Sequence, residues 1–317
     1  MSQSYPLAWV RRSLSTVGHH GRVPLSRRAV LVGGTATLGV SAAGAVGIQQ
    51  GVLPGRPQVQ ALLGLNGAAG VVPDVDPGPI VSGTFVSERR LGAATGWSLV
   101  RPPGGAGSLP LLVALHGLNR GHEDLMGPDF GLPQFLAAAV RDNIPPFAIV
   151  AVDGGTTYWH ERPTGEDAGA MVVEELLPML AERDVQVDRI GLLGWSMGGY
   201  GALHLAGLLG PDRVAAVAAT SPAIWTDPDD ARPSGFEDAE EYAEFSVIGR
   251  QGELIGIPVR IDCGTGDPFY RAVKDYTDGF PDEADVTHTF GPGAHDAAYW
   301  RRMLPEQLEF LGVGLRA

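Results

Sequence analysis

Short apolar runs alternate with longer stretches of helical periodicity from about residue 80 onward, and this alternation most limits the folds open to the chain. The runs that are apolar on both faces cover residues 109–115, 147–152, 189–194, 214–219 and 258–263. Such strands need helices on both sides, because they have no solvated face. Helical patterns occupy 166–183, 197–209 and 297–311. Repeated strand–helix–strand units predict an α/β domain with a mostly parallel central sheet flanked by helices on both faces, and segments 80–87 and 96–100 as antiparallel edge strands.

The charge distribution excludes one class of partner. The formal net charge is -13, and all 36 acidic residues follow position 73, whereas six arginines precede position 60. An acidic body repels nucleic acid at long range, so we expect no nucleic-acid partner. Cys263 is the one cysteine, which rules out an intrachain disulfide and a cysteine zinc site. Its place in a predicted strand favours a buried, unreactive thiol.

The N-terminus carries the pattern of an export signal. Arg27 and Arg28 directly precede an apolar, uncharged stretch that runs to about residue 48. A positive flank before an apolar run is typical of secretion signals, and the arginine pair resembles a twin-arginine (Tat) signal. At ~20 residues the run also just reaches the length of a membrane span. We therefore expect residues 1–50 to be a Tat-like export signal or an N-terminal anchor, in a secreted or membrane-anchored protein. Residues 51–79, rich in Gly, Pro and Ala, are expected to be a linker or an irregular lead-in to the domain.

The motif Gly194-Trp195-Ser196-Met197-Gly198 fits G-x-S-x-G and lies between a predicted strand and a predicted helix. In this setting the chain turns sharply and exposes the serine hydroxyl above the sheet edge, and the glycines remove Cβ atoms that would clash in the turn. The serine also begins a helix, whose N-terminus favours negative charge. We interpret Ser196 as a nucleophile rather than as a simple helix cap.

A serine nucleophile needs a general base and an orienting carboxylate, in the chain order Ser, Asp or Glu, His. His295 follows the predicted strand 286–290 in a loop, whereas His204 lies on the helix after Ser196 and His288 lies inside the strand. Loops at the carboxyl ends of strands are where such sites form, which favours His295 as the base. For the acid we prefer Asp267, in the loop after strand 258–263, to Asp262 inside it. Asp267 directly precedes Pro268, so its alternative role is a cap for the helix that Pro268 begins.

Two backbone N–H groups are expected to bind the oxyanion that forms during acyl transfer. One belongs to Met197, the residue after the serine, and the other comes from the loop after the first long parallel strand, where Leu118 is our candidate. His116 precedes them and is expected to hold this loop. Tyr158 and Trp159 follow another strand at the same edge, so they are candidates to line a substrate pocket, the alternative being a packed surface loop.

With these pieces placed, residues 80–314 resemble the esterase D and antigen 85 (mycolyltransferase) branch of the α/β-hydrolases. The segments that carry the resemblance are 116–118, 194–199, 264–269, 293–296 and the Tyr299-Trp300 pair. It implies an α/β-hydrolase fold without a large cap domain over residues 80–317. It also implies an ester hydrolase or acyl transferase without metal or cofactor, with Ser196, Asp267 and His295 as the triad and Leu118 and Met197 as oxyanion donors.

The leading hypothesis is therefore a carboxylesterase-type serine hydrolase that acts through an acyl-enzyme. An acyltransferase that acts on cell-envelope sugars or lipids uses the same machinery and stays open, and a non-catalytic binding protein on this fold is a third reading. The expected partner is a small-molecule or lipid ester, with membrane or cell-envelope association through the N-terminus. The acidic stretch 236–245 predicts a solvated helix face or, alternatively, a lid over the site.

Overall fold

The computed structural model describes residues 56–316, so the predicted export signal at residues 1–50 lies outside the described part. Eight strands form one sheet in the order β1-β2-β4-β3-β5-β6-β7-β8. The strands are β1 Ile80–Ser87, β2 Ala93–Val100, β3 Leu109–Leu115, β4 Ala148–Val152, β5 Val185–Trp195, β6 Val214–Thr220, β7 Val259–Gly264 and β8 Val286–Gly291. β1 and β2 are antiparallel, β2 joins β4 antiparallel, and all other pairs are parallel. The mostly parallel α/β sheet is confirmed.

The helices that matter for the site cover both faces of the sheet. They are α1 Arg56–Leu62, α2 His122–Met126, α3 Leu132–Arg141, α4 (Ala168–Ala170, Met171–Leu176 and Leu177–Leu180 in succession), α5 Met197–Leu209, α6 Ala239–Phe245, α7 Tyr270–Asp278 and α8 Ala297–Gly314. The middle part of α4 is a π-helix, which sequence periodicity did not predict. Pro178 follows it and has no N–H for an ordinary α-helical bond. No helix within residues 56–316 is long and apolar enough to cross a membrane.

Strand β3 shows why the apolar runs are continuous. Its odd-numbered residues, such as Val113, join a core cluster that includes α4 and α5, and its even-numbered residues, such as Leu112, join a second cluster with α3 and α8. Both side chains are fully buried. Because successive strand residues point to opposite faces, a strand between two helical layers needs apolar residues at every position.

Residues 56–79, which belong to the predicted linker, pack on the body of the domain. Gln60 of α1 is 2% exposed, and the Gly70 N–H donates to the Ala298 carbonyl at 2.8 Å. Gly70 is required there, because a Cβ would lie 2.1 Å from the Arg302 nitrogen. Contacts made by backbone groups do not require a periodic pattern of apolar side chains. The sequence of this segment has no such pattern, so it did not predict the packing.

Candidate active site

Ser196 lies in a sharp turn between β5 and α5, at the carboxyl edge of the sheet. Its φ of 56° and ψ of -120° are unfavourable for a residue with a side chain. The turn is held by the Ser196 N–H, which donates to the Thr220 carbonyl at 3.0 Å. A Cβ on Gly194 would lie 2.0 Å from the Gly198 carbonyl oxygen, and one on Gly198 would lie 1.9 Å from that of Leu115. Glycine is therefore needed on both sides of the serine.

The structure brings the predicted base and acid to this serine. His295 Nε2 lies 2.8 Å from Ser196 Oγ, and His295 Nδ1 lies 2.8 Å from Asp267 Oδ2. A carboxylate only accepts, so Nδ1 carries the proton and Nε2 is free to accept from the serine hydroxyl. Asp267 is fixed in turn, because its Oδ1 accepts the Phe269 N–H at 2.8 Å. Oδ2 thus faces the predicted base, and Oδ1 caps the local backbone. The two roles predicted for Asp267 are compatible, because they use different oxygens.

The other acidic and histidine candidates lie elsewhere. Asp262 is fully buried inside β7 and pairs with Arg260 at 2.9 Å and with Gln307 at 2.6 Å. Burial raises the pKa of this carboxyl. His288 lies within β8, and His204 stacks on Tyr200 with a ring centroid distance of 5.8 Å. The preference for Asp267 and His295 therefore agrees with the geometry.

The loop expected to donate to the oxyanion passes directly over the serine. Leu118 lines the cavity beside Ser196, and Met197 is the first residue of α5, where a backbone N–H has no acceptor within the helix. A Cβ on Gly117 would lie 3.4 Å from Ser196 Cβ, so the loop backbone approaches closely. Both N–H groups belong to segments that border the hydroxyl, which suits the binding of a developing negative charge.

His116 holds the loop after β3 in place. Its Nδ1 lies 2.8 Å from the Gly117 carbonyl, and its Nε2 accepts the Gly154 N–H at 2.8 Å. The ring is fully buried, and burial lowers the pKa of the imidazole. A neutral ring with the proton on Nδ1 satisfies both contacts. His116 thus ties the loop after β3 to the loop after β4, as the sequence predicted in outline.

Ser196 opens into a cavity of about 680 Å³ at the sheet edge. Its walls combine apolar and aromatic side chains with three arginines and three aspartates. The lining residues are Gly117, Leu118, Asn119, Arg120, Asp124, Leu125, Asp129, Phe130, Tyr158, Trp195, Ser196, Trp225, Arg232, Ser234, Phe269, His295, Asp296, Ala297, Trp300 and Arg301. Among the residues that the structure describes, no cluster of His, Cys, Asp and Glu side chains is arranged to hold a metal ion.

Tyr158 lines this cavity, but Trp159 does not, which corrects the expectation for Trp159. The Trp159 indole is fully buried next to the loop after β3, and its ring centroid lies 5.1 Å from that of His116. Its Nε1 donates to the His116 carbonyl at 3.4 Å. Both residues have a positive φ, 58° and 60°. This turn directs the two adjacent side chains to different places, so Trp159 supports the loop rather than the substrate.

Aromatic side chains that the sequence analysis did not assign to the pocket surround the base. Along the cavity wall, ring centroids are 5.8 Å apart for Tyr158 and Trp225, 5.5 Å for Trp225 and Phe269, 5.3 Å for Phe269 and His295, and 5.3 Å for His295 and Trp300. Trp300 belongs to the Tyr-Trp pair noted in the resemblance. Trp225 follows the carboxyl end of β6, and this position is the sequence signal that could have identified it.

The acidic stretch 236–245 is only partly a solvated face. Glu241 of α6 is 5% exposed and lies 3.2 Å from His160 Nε2 and 3.0 Å from Arg162 Nε. Phe236 is also buried and stacks on His160 at 5.2 Å. The stretch is therefore anchored behind Tyr158 by a buried polar group, a detail that its charge pattern does not reveal.

A serine, histidine and aspartate that meet at the carboxyl edge of a mostly parallel α/β sheet define the α/β-hydrolase class. The model of the esterase family, described as "Putative esterase", matches residues 89–311, which is more than half of the chain. The chain belongs to this esterase family and is a carboxylesterase-type hydrolase. No curated protein matches it by sequence.

Solved structures of esterases share the fold. A ferulic acid esterase is 21% identical with a TM-score of 0.61, over 74% of this chain and 98% of its own. An S-formylglutathione hydrolase from Agrobacterium tumefaciens is 18% identical with a TM-score of 0.62, over 77% and 98%. A ferulic acid esterase from Anaeromyces mucronatus, solved with ferulic acid, is 18% identical with a TM-score of 0.58, over 77% and 94%. At these identities the likeness concerns the fold.

Proposed function

We propose that the chain hydrolyses small-molecule carboxylic esters through an acyl-enzyme on Ser196. His295 Nε2 takes the hydroxyl proton as Oγ attacks the ester carbonyl carbon, and Asp267 stabilises the imidazolium that forms. The Leu118 and Met197 N–H groups bind the oxyanion of the tetrahedral intermediate. When the intermediate collapses, the C–O bond to the alcohol breaks and His295 returns the proton to the departing oxygen.

Deacylation repeats these steps with water. His295 removes a proton from water, the hydroxide oxygen attacks the acyl carbon, and the proton passes to Ser196 Oγ as the acyl–enzyme bond breaks. The products are the free acid and a regenerated serine. No redox change or metal ion is needed for either half of this reaction.

One observation supports this proposal above all others. An unbroken hydrogen-bonded series joins Ser196 Oγ, His295 and Asp267, with both contacts at 2.8 Å, although the three residues are far apart in the sequence. The serine belongs to a strained turn beside an open cavity. Strain of this kind persists where function requires it, and here it aims the hydroxyl at the space a substrate would occupy.

The cavity favours an ester of moderate size with an apolar or aromatic acyl group. A volume of about 680 Å³ is typical of small-ligand sites, and Tyr158, Trp225, Phe269 and Trp300 supply apolar walls around the base. The ferulic acid bound to the Anaeromyces mucronatus esterase is an acid of this description. A hydrolysis series of p-nitrophenyl esters from acetate to laurate measures where the size limit falls.

Pre-steady-state kinetics test the proposal. Mixing with p-nitrophenyl acetate is expected to release a burst of p-nitrophenolate equal to the enzyme concentration when deacylation is slow. Ser196→Ala is expected to abolish both burst and turnover, whereas Ser234→Ala, a serine of the cavity wall, serves as the matched control and retains them. Undiminished turnover in Ser196→Ala rejects the mechanism. Product analysis with added glycerol or trehalose separates transfer to an alcohol from hydrolysis.

We also propose that residues 1–50 export the protein as a Tat-like signal that is cleaved or kept as an anchor. The support is the Arg27-Arg28 pair before the apolar run. Replacing both arginines with lysine is expected to retain the protein in the cytoplasm of an expressing bacterium with a Tat system. Replacing Arg11 and Arg12 in the same way is the matched control. Unchanged export after the Arg27-Arg28 replacement contradicts the proposal.

A further inference from the structure

The N-terminal segment, residues 56–79, lies against the edge of the sheet that carries the serine, histidine and aspartate. It precedes the part of the chain that the esterase family model matches, which begins at residue 89. It therefore packs on the site without belonging to the matched esterase region. Some of its contacts are made with two loops of the site: the acid loop, residues 264–269, which carries Asp267, and the base loop, residues 291–296, which carries His295.

The segment contacts the acid loop through α1 and the turn after it. Gln60 Oε1 accepts from Thr265 Oγ1 at 3.4 Å, and the Gln60 side chain is almost fully buried. A Cβ on Gly266 would lie 2.6 Å from Gln60 Oε1 and 2.6 Å from Asn66 Oδ1. The residue directly before Asp267 is thus in close contact with this segment, and a glycine is needed to allow it.

Arg302 of α8 joins the segment to the base loop. Its guanidinium donates to the Asn66 carbonyl at 3.2 Å, to the Ala68 carbonyl at 2.6 Å and to the Pro292 carbonyl. Pro292 lies three residues before His295. One planar cation with several donors is suited to hold carbonyl groups from two separate segments in a fixed relation.

The two loops also contact each other where the segment covers them. The Thr265 N–H donates to the Gly291 carbonyl at 2.7 Å, and the Gly266 N–H donates to the Gly293 carbonyl at 2.8 Å. A Cβ on Gly264 would lie 2.4 Å from the Gly293 carbonyl carbon. A displacement of either loop therefore changes the distance between Asp267 and His295.

We propose that the N-terminal segment positions the acid and base loops, with Gln60 and Arg302 as the positioning residues. The inference rests on the proposed roles of Asp267 and His295 and adds two residues to them: Gln60, which precedes the matched esterase region, and Arg302, which lies within it. Neither positioning residue lines the cavity, so both act through the loops. Loosening the segment is expected to lengthen the contact between Asp267 Oδ2 and His295 Nδ1, which weakens the support of the imidazolium.

Arg302→Met in the full-length protein is the principal test. It removes the guanidinium donors to the Asn66, Ala68 and Pro292 carbonyls and keeps an apolar stem of similar length. We expect kcat to fall by about 10- to 100-fold, the range for a misplacement of ~1 Å, with little change in KM. Arg302→Lys, which still donates, is expected to restore part of kcat.

Hydrogen exchange gives a readout that does not depend on activity. The Thr265 and Gly266 amides are expected to exchange faster in Arg302→Met than in the wild type, because they link the two loops. Arg271→Met replaces an exposed arginine of α7 and is the matched control, with unchanged kcat and exchange. If Arg302→Met does not fold, Gln60→Ala takes its place with the same readouts.

Wild-type kcat and wild-type exchange in Arg302→Met overturn the proposal. So does a loss of kcat with unchanged exchange of the Thr265 and Gly266 amides, since that result indicates that the contacts between the two loops are kept. If the wild-type protein hydrolyses no ester, the proposed function fails, and the exchange comparison alone then decides whether the segment holds the loops.

Discussion

Asp267→Asn separates the two roles of one carboxylate and allows the cost to be worked from the structure. Oδ2 faces His295 Nδ1, and Oδ1 accepts the Phe269 N–H, each at 2.8 Å. If the amide oxygen of the variant stays on the Phe269 N–H, its NH2 group faces His295 and forces the proton onto Nε2, which can then no longer accept from Ser196. If the amide is reversed, the histidine keeps its active tautomer, but the Phe269 N–H loses its acceptor.

The second arrangement costs about 1–3 kcal/mol for a buried unsatisfied N–H, which leaves about one molecule in 5 to 150 competent. Loss of the negative charge also weakens the electrostatic stabilisation of the imidazolium. In a comparable triad the substitution of Asp by Asn lowers kcat by about 10⁴ in total. We therefore predict a fall of at least about 5-fold and up to about 10⁴ in kcat for p-nitrophenyl ester hydrolysis.

Asp296→Asn is the matched control for this measurement. Asp296 is adjacent to His295 and lines the same cavity, but its side chain caps α8 by accepting the Tyr299 N–H at 2.9 Å. Asparagine caps helices equally well, so kcat is expected to stay within about 2-fold. A loss below about 5-fold in Asp267→Asn, or an equal loss in both variants, refutes the assigned role of Asp267.

Three further outcomes are expected. Gly198→Ala should lower the free energy of unfolding by at least about 1–3 kcal/mol, because the new Cβ would lie 1.9 Å from the Leu115 carbonyl oxygen. Urea denaturation measures this change, and a variant as stable as the wild type contradicts the turn geometry. Burial lowers the pKa of His116, so below about pH 6.5 the unfolded chain binds a proton there that the folded chain does not bind, and His116 should contribute a loss of stability of up to about 1.4 kcal/mol per pH unit as pH decreases. Burial also lowers the pKa of His160 and of His204, so His116→Gln should reduce the total slope by the contribution of His116 alone, and an unchanged slope argues against a neutral His116 ring. Burial also raises the pKa of the Cys263 thiol, so Ellman's reagent should react only after unfolding, and fast reaction of the native protein contradicts its burial.

The local chemistry of the turn made Ser196 predictable from sequence. A strand, a sharp glycine-flanked turn and a helix are all encoded by neighbouring residues, and the order Ser, Asp, His then restricted the search to loops after later strands. Asp267 was harder to interpret, because a carboxylate before Pro268 also suits a backbone cap, and the structure uses it for both.

Contacts made across the fold were not predictable in the same way. Trp159 was grouped with Tyr158 because the two are adjacent in the sequence. Two successive positive φ angles instead place the Trp159 ring against His116, away from the cavity. Residues 56–79 lack periodicity, so the sequence predicts a linker or an irregular lead-in without showing what it contacts. Backbone carbonyls of this segment accept from Arg302, a partner more than 200 residues away. Glu241 looked like one of several surface acids until its contact with His160 was seen.

The central claim is that Ser196 is a nucleophile activated by His295, and peptide mapping after reaction with a fluorophosphonate tests it most directly. We predict one covalent label per chain, located on the peptide that contains Ser196, lost in Ser196→Ala and formed much more slowly in His295→Gln. Absence of a label on the folded wild-type protein, or a label that persists in Ser196→Ala, contradicts the account.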